Sequence, residues 1–167
     1  HPIDRLGLQG DAAVLSKAGL LSTDVALQVL MAYEAEDKFT VWSDLLANLD
    51  AIYTIVKDQP YASRFRAAVR RLLRPSAQRL GWEVEEGGSH LDAMLRALVQ
   101  GALVKFHDKE AIATASALFR SGYENVPADL RGTVYRAALR YGGRAEFDAV
   151  MDIYRKTDLN EEKVRCL

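Results

Sequence analysis

Residues 40–56, TVWSDLLANLDAIYTIV, decide how this chain is read. Trp42, Leu45, Leu46, Leu49, Ile52, Tyr53 and Val56 follow the i, i+3, i+4, i+7 spacing that lines one face of an α-helix. The pattern holds for about four turns, and Thr40 is the expected N-cap. A stripe of this length needs a partner surface, so the flanking segments should supply more helices.

They do so in both directions. Upstream, Leu8, Ala12, Leu15 and Ala18 predict a first helix that stops at Gly19. A second starts at Ser22 or Thr23 and runs through Leu27, Leu30 and Met31 towards Tyr33, followed by a short charged loop over residues 34–39. Downstream, Tyr61, Phe65, Ala68, Val69, Leu72 and Leu73 line a fourth helix that Pro75 should kink or end. Residues 81–89, with Gly87-Gly88, form the one long connection. Ser89 and Asp92 then have the spacing of a capping box, ahead of a fifth helix lined by Leu91, Met94, Leu95, Leu98, Ala102 and Phe106. A sixth runs from Asp108 through Ile112, Ala115 and Phe119 to Gly122. Pro127 is expected in the first turn of a seventh, with Leu130, Val134, Ala138 and Tyr141. Gly142-Gly143 closes it, and Phe147, Val150, Met151 and Tyr154 line an eighth.

The fold class is therefore all-α, with about eight or nine helices. Taken in pairs, these start near residues 4, 40, 89, 127 and 158, a step of roughly 40 that matches HEAT or armadillo hairpins. Such hairpins cannot bury their own faces and stack into a superhelix, so residues 1–167 are expected to form one helical-repeat domain. Asp158 and Glu161 look like the cap of a ninth helix, but only Val164, Cys166 and Leu167 follow as apolar residues. A helix of fewer than three turns is marginal alone, so the chain is expected to stop inside an element. The tetratricopeptide signature fails: Trp42 and Leu45 fit W-x-x-L, but Leu46 stands where Gly belongs and Leu49 where Tyr belongs.

Composition narrows the function. With 22 Lys+Arg against 23 Asp+Glu and a formal charge of −1, there is no bulk electrostatic case for nucleic acid or an anionic membrane. The apolar runs are too short to span a bilayer, and the N-terminus lacks the apolar core of a signal peptide. The single cysteine, Cys166, excludes an internal disulfide framework and suits a reducing, cytoplasmic compartment.

Catalytic chemistry is hard to find. No HExxH occurs, and none of His1, His90 and His107 has a second histidine at i+4, so no helix offers a two-imidazole zinc clamp. His107-Asp108-Lys109-Glu110 resembles a ligand cluster but falls at a helix junction, where Asp108 is better placed as N-cap and Glu110 as first-turn charge. His90 sits in a first helical turn. Gly81, Gly87 and Gly88 make no phosphate loop. The pairs Glu85-Glu86 and Glu161-Glu162 occupy places usually left to solvent. Arg64, Arg66, Arg70, Arg71, Arg74 and Arg79 spread around the polar side of the fourth helix, where they serve as a solvated face, as partners in ion pairs, or as an anion site. No nucleophile, base and orienting group assemble.

A set of short motifs carries a resemblance. Ile3-Asp4-Arg5-Leu6-Gly7-Leu8-Gln9-Gly10-Asp11 leads into Ala18-Gly19-Leu20. Thr40–Leu45 follows, then Arg79-Leu80-Gly81-Trp82 and His90-Leu91-Asp92-Ala93-Met94-Leu95-Arg96. Ala128-Asp129-Leu130-Arg131 with Val134-Tyr135, and Glu161-Glu162-Lys163 with Arg165, complete the series. In this order the motifs resemble the C-terminal helical domain of the HExxH zinc aminopeptidases, closest to the puromycin-sensitive type. Ala12-Ala13 departs from the family's bulkier pair.

The resemblance implies a HEAT-like bowl over a thermolysin-like catalytic domain, which is its partner in the full-length chain. The bowl shapes the cavity that admits peptide substrates and contacts them away from the N-terminus. Zinc, the glutamate base and the amine-recognition residues would lie in that other domain, so this chain holds no cofactor and is not itself the enzyme. About half of the helical domain would be present. Tyr33, Lys38 and Arg96 are the candidates for the peptide cavity, and Arg5 and Asp11 are expected to tie the first helix to its neighbours. The alternative is a free-standing HEAT-like scaffold that binds a protein partner.

Overall fold

Helices form where the apolar stripes put them. The computed structural model describes residues 1–84 and 87–167, so the Glu85-Glu86 pair lies outside the described residues. The helices are α1 Pro2–Lys17, α2 Thr23–Met31, α3 Phe39–Val56, α4 Ala62–Leu80, α5 His90–Lys105, α6 Lys109–Arg120, α7 Arg131–Tyr141, α8 Arg144–Lys156 and α9 Asn160–Arg165, with a 3-10 turn at Tyr123–Asn125. Among the described residues there is no strand, and no helix is long and apolar enough to cross a membrane. The chain divides into two compact units, His1–Gly81 and Trp82–Leu167.

In the first unit α1 packs beside α3, α2 packs on α1 and α4, and α4 also packs on α3. The core is the predicted α3 stripe plus what covers it: Trp42, Leu45 and Leu49 are fully buried, as are Leu30, Val69 and Leu73. Burying a side chain of this size contributes about 1.5–3 kcal/mol. The Tyr53 and Phe65 rings stack at 5.9 Å where α3 meets α4.

Several local expectations need correction. Thr40 does not cap α3: the helix starts at Phe39, two residues earlier than that cap implies, with Lys38 as N-cap, and the Glu36 carboxylate takes the amides of Asp37 and Lys38 at 3.0 and 2.9 Å. The α1 stripe is rotated by about one position. Its buried residues are Gln9, Ala12 and Ala13, while Leu8 and Leu15 are exposed. The two alanines let α2 and α3 approach closely, and Gln9 enters the core because its Nε2 donates to the Val41 carbonyl at 3.0 Å. Pro75 does not end α4, which continues to Leu80. A mid-helix proline costs about 3 kcal/mol, but Leu72, Leu73, Ser76 and Ala77 are buried on both sides of it and Pro75 itself is exposed. Tertiary packing outweighs the local preference.

The second unit repeats the hairpin arrangement. α6 packs on α5 and α7, and α7 packs also on α5, α8 and α9. Thr133 Oγ1 donates to the Ala97 carbonyl at 3.4 Å and Tyr141 Oη to that of Val104 at 3.0 Å, so α5 and α7 run parallel with α6 between them in sequence. The core holds Leu95, Val99, Phe106, Ala115, Leu130, Val134, Tyr135 and Val150. Because α5 meets both α6 and α7, its buried face is broader than its sequence stripe: it includes Arg96, Gln100, Leu103 and Val104, whereas Leu91 is exposed. Pro127 precedes a turn, and α7 begins only at Arg131. Asp158 does not cap α9, whose N-cap is Leu159. Ser89 and Asp108 do cap as expected, accepting the amides of Asp92 and Ala111 at 3.0 Å each.

Candidate functional site

The segment between α2 and α3 carries two of the three expected cavity residues and is held by one buried carboxylate. Glu36 is buried, and Arg5 on α1 grips it in a two-point bond, Nε to Oε2 at 2.6 Å and Nη2 to Oε1 at 2.9 Å. The Glu36 carbonyl accepts from Trp42 Nε1 at 2.9 Å and from Ser76 Oγ at 3.3 Å. One residue thus ties α1, α3 and α4 together. Burial pushes the Glu36 carboxyl up, but the Arg5 bond and the two amides outweigh it and hold the group below the usual carboxylate range.

Tyr33 lies in this network rather than in the open. It is buried, its hydroxyl donates to the Arg5 carbonyl at 2.6 Å, and burial, then the Glu36 charge, raise its phenol. Lys38 is exposed, with Nζ 3.0 Å from Asp37 Oδ2. The structure therefore brings Tyr33, Arg5 and Glu36 together and leaves Lys38 at the rim of the same segment. Asp11 is exposed, so of the two tethers expected on α1 only Arg5 acts as one.

Arg96 belongs to the second unit. Its guanidinium is buried, with Nε 2.8 Å from Asp129 Oδ2 and Nη1 2.5 Å from the Glu83 carbonyl. A third carboxylate repeats the theme. Glu162 on α9 is buried, accepts from Tyr135 Oη and from Arg165 Nη1 at 2.8 Å, and lies 3.4 Å from Arg131 Nη1. Its carboxyl is also lowered: burial raises it, and the Tyr135 and Arg165 bonds with the Arg131 charge overcome that. Burial first, then Glu162, raise the Tyr135 phenol and the buried Cys166 thiol. The expectation that Glu161-Glu162 is a solvated pair is thus half right, since only Glu161 is exposed.

These contacts share a spacing that sequence reasoning missed. Arg5–Glu36, Arg96–Asp129 and Arg131–Glu162 are separated by 31, 33 and 31 residues. Each arginine lies in the first half of one helix, and its carboxylate lies just before or at the start of the next parallel helix. The signal available in the sequence was the recurrence of Arg and Asp/Glu inside the quoted motifs at that interval.

The remaining groups do little chemistry. His90 is exposed at the start of α5, and His107 adopts φ +62° with Nε2 3.0 Å from Arg140 Nη2. In the arginine set of α4, Arg66 Nη1 reaches Tyr53 Oη at 3.4 Å. Among the described residues no group of three or more His, Cys, Asp or Glu could hold a metal ion. Carboxylates held by arginines, and in Glu36 also by two amides, tie helices together.

Comparison with known proteins gives the family. A family model described as ERAP1-like C-terminal domain matches residues 1–167, the whole chain. The chain belongs to that family. It is 31% identical over 169 residues to glutamyl aminopeptidase of Mus musculus, covering 98% of this chain and 18% of the relative. It is 33% identical over 178 residues to Aminopeptidase M1 of Arabidopsis thaliana (99% and 20%), and 35% identical over 175 residues to Aminopeptidase M1-B of Oryza sativa subsp. japonica (99% and 20%). The chain thus spans about a fifth of the length of the curated relatives it matches. The match to an aminopeptidase C-terminal domain family thus covers the whole chain, and the helices described above agree with it.

Proposed function

We propose that this chain caps and shapes the peptide cavity of a zinc-dependent aminopeptidase that removes N-terminal residues from peptides. The observation that carries this is the whole-chain family match to relatives that are aminopeptidases about five times longer. The zinc and the groups that act with it belong to the catalytic domain, which is the main partner of this one. The single thiol, Cys166, buried and raised in pKa, suits a cytoplasmic enzyme. The finer assignment to the puromycin-sensitive type rests on residues 79–82 and 90–96, and inhibition of the full-length enzyme by puromycin tests it.

Within this reading Lys38 faces the distal part of the peptide, while Tyr33 and Arg96 hold their segments from inside. Lys38 is the exposed one of the three, on a segment fixed by Glu36. The test uses the full-length enzyme with Lys38→Glu. The kcat/KM for a peptide of about ten residues should change severalfold, with the change in KM, while an aminoacyl-coumarin reporter too short to reach Lys38 should be cleaved as before. Equal effects on both substrates would overturn the cavity role. A full-length chain with no zinc and no reporter cleavage would overturn the aminopeptidase reading and favour the free-standing scaffold.

A further inference from the structure

The second unit contains a groove that none of the foregoing roles uses. It lies between the parallel helices α5 and α7, has a volume of ≈ 390 Å³, and is lined by Gly101, Val104 and Lys105 on one side and by Arg136, Leu139 and Arg140 on the other. That volume falls within the range of small-molecule pockets, which combine an apolar lining with a few convergent polar groups. At its floor the helices approach closely: a Cβ on Gly101 would come within 3.1 Å of Thr133 Oγ1.

The charge of the groove is one-sided. All three charged lining residues are cationic, in a chain whose net charge is −1. Arg136 and Arg140 are one turn apart on α7, so both side chains leave the same face of the helix. Arg136 Nε donates to the Gly132 carbonyl at 3.2 Å, which orients its fork. Arg140 is steadied by His107 at 3.0 Å and lies over the Tyr141 ring at 5.6 Å. Beside them Leu139, 37% exposed, offers apolar surface, and the largely buried Val104 also lines the groove. Two oriented guanidiniums next to an apolar wall match a carboxylate attached to a hydrocarbon body.

We infer that the α5–α7 groove is a binding site for a small amphiphilic carboxylate, with the carboxylate between Arg136 and Arg140 and the apolar body against Val104 and Leu139. This site is separate from the α2–α3 segment proposed to face peptides and does not rest on that proposal. The test is a titration of the ¹⁵N-labelled 167-residue chain with sodium octanoate below its micelle concentration, followed by amide shifts. Saturable shifts should centre on Gly101, Val104, Leu139 and Arg140. Acetate and 1-hexanol, which supply the anion and the apolar body separately, should each bind at least tenfold more weakly. Arg136→Glu with Arg140→Glu should weaken octanoate at least tenfold while the other amide positions keep their spectrum. Should that variant lose its spectrum, Leu139→Ser provides the same test from the apolar side. Shifts scattered over both units, or octanoate binding unchanged by charge reversal or by Leu139→Ser, would overturn the site.

Discussion

At the residue scale, the first unit depends on Trp42 and Glu36. Trp42 is fully buried and its indole N–H meets the Glu36 carbonyl at 2.9 Å. Trp42→Ala should therefore cost about 3–5 kcal/mol from cavity formation alone, read as a drop in the urea midpoint at unchanged slope. Trp42→Phe keeps much of the ring but loses the donor, and should cost about 1–2 kcal/mol. A loss below about 1 kcal/mol for the alanine variant would mean that the α3 stripe is not the core. That stripe was legible because seven apolar residues at one helical period leave no other face to bury. Glu36 was not legible: a carboxylate in a charged loop reads the same whether water or Arg5 is its partner. Side-chain placement was no more legible: Lys38 is exposed, whereas Tyr33 on the same segment is buried with its hydroxyl on the Arg5 carbonyl.

At the element scale, the recurring arginine–carboxylate bridges set how one parallel helix is placed against the next. Arg96–Asp129 is well enclosed, with side-chain exposures of 8% and 18%. Removing one partner of a buried pair leaves a charge uncompensated, so Arg96→Ala should cost about 3 kcal/mol. A double-mutant cycle with Asp129→Ala should return a coupling of roughly 1–3 kcal/mol. A coupling near zero would reduce the bridge to a by-product of apolar packing. Element boundaries show why sequence reading stops short. Ser89 and Asp108 were found because a side-chain cap is a local event, settled within three residues. The α1 and α5 faces were misjudged because the neighbours that cover a helix are chosen 20 to 40 residues away. Gly142 is a further case: a Cβ there would lie 2.4 Å from the Ala138 carbonyl, a close approach invisible in the sequence, where Gly142-Gly143 read only as a turn.

At the scale of the whole molecule, each compact unit contains one buried carboxylate held below its usual range, Glu36 in the first and Glu162 in the second. The unfolded chain titrates near the ordinary glutamate value of about 4.3. A folded carboxyl with a lower pKa binds fewer protons than its unfolded counterpart, so its contribution to stability is complete above that value and is lost as pH falls through the folded pKa. Stability to urea should thus be nearly level from neutral pH down to about 5 and fall steeply below about 4. Glu36→Gln and Glu162→Gln should each lower stability at neutral pH, because Arg5 or Arg131 and Arg165 lose their counter-charge, and each should flatten the acid limb. Hydrogen exchange separates the two: Glu36→Gln should raise exchange first in α3, and Glu162→Gln first in α7. Opposite signs apply to Tyr33 and Tyr135, whose raised phenols contribute stability that is lost only as pH climbs past about 10. If the glutamine variants kept the wild-type acid slope, the acid limb would have to come from exposed carboxylates, and neither buried glutamate would be the ionic anchor of its unit.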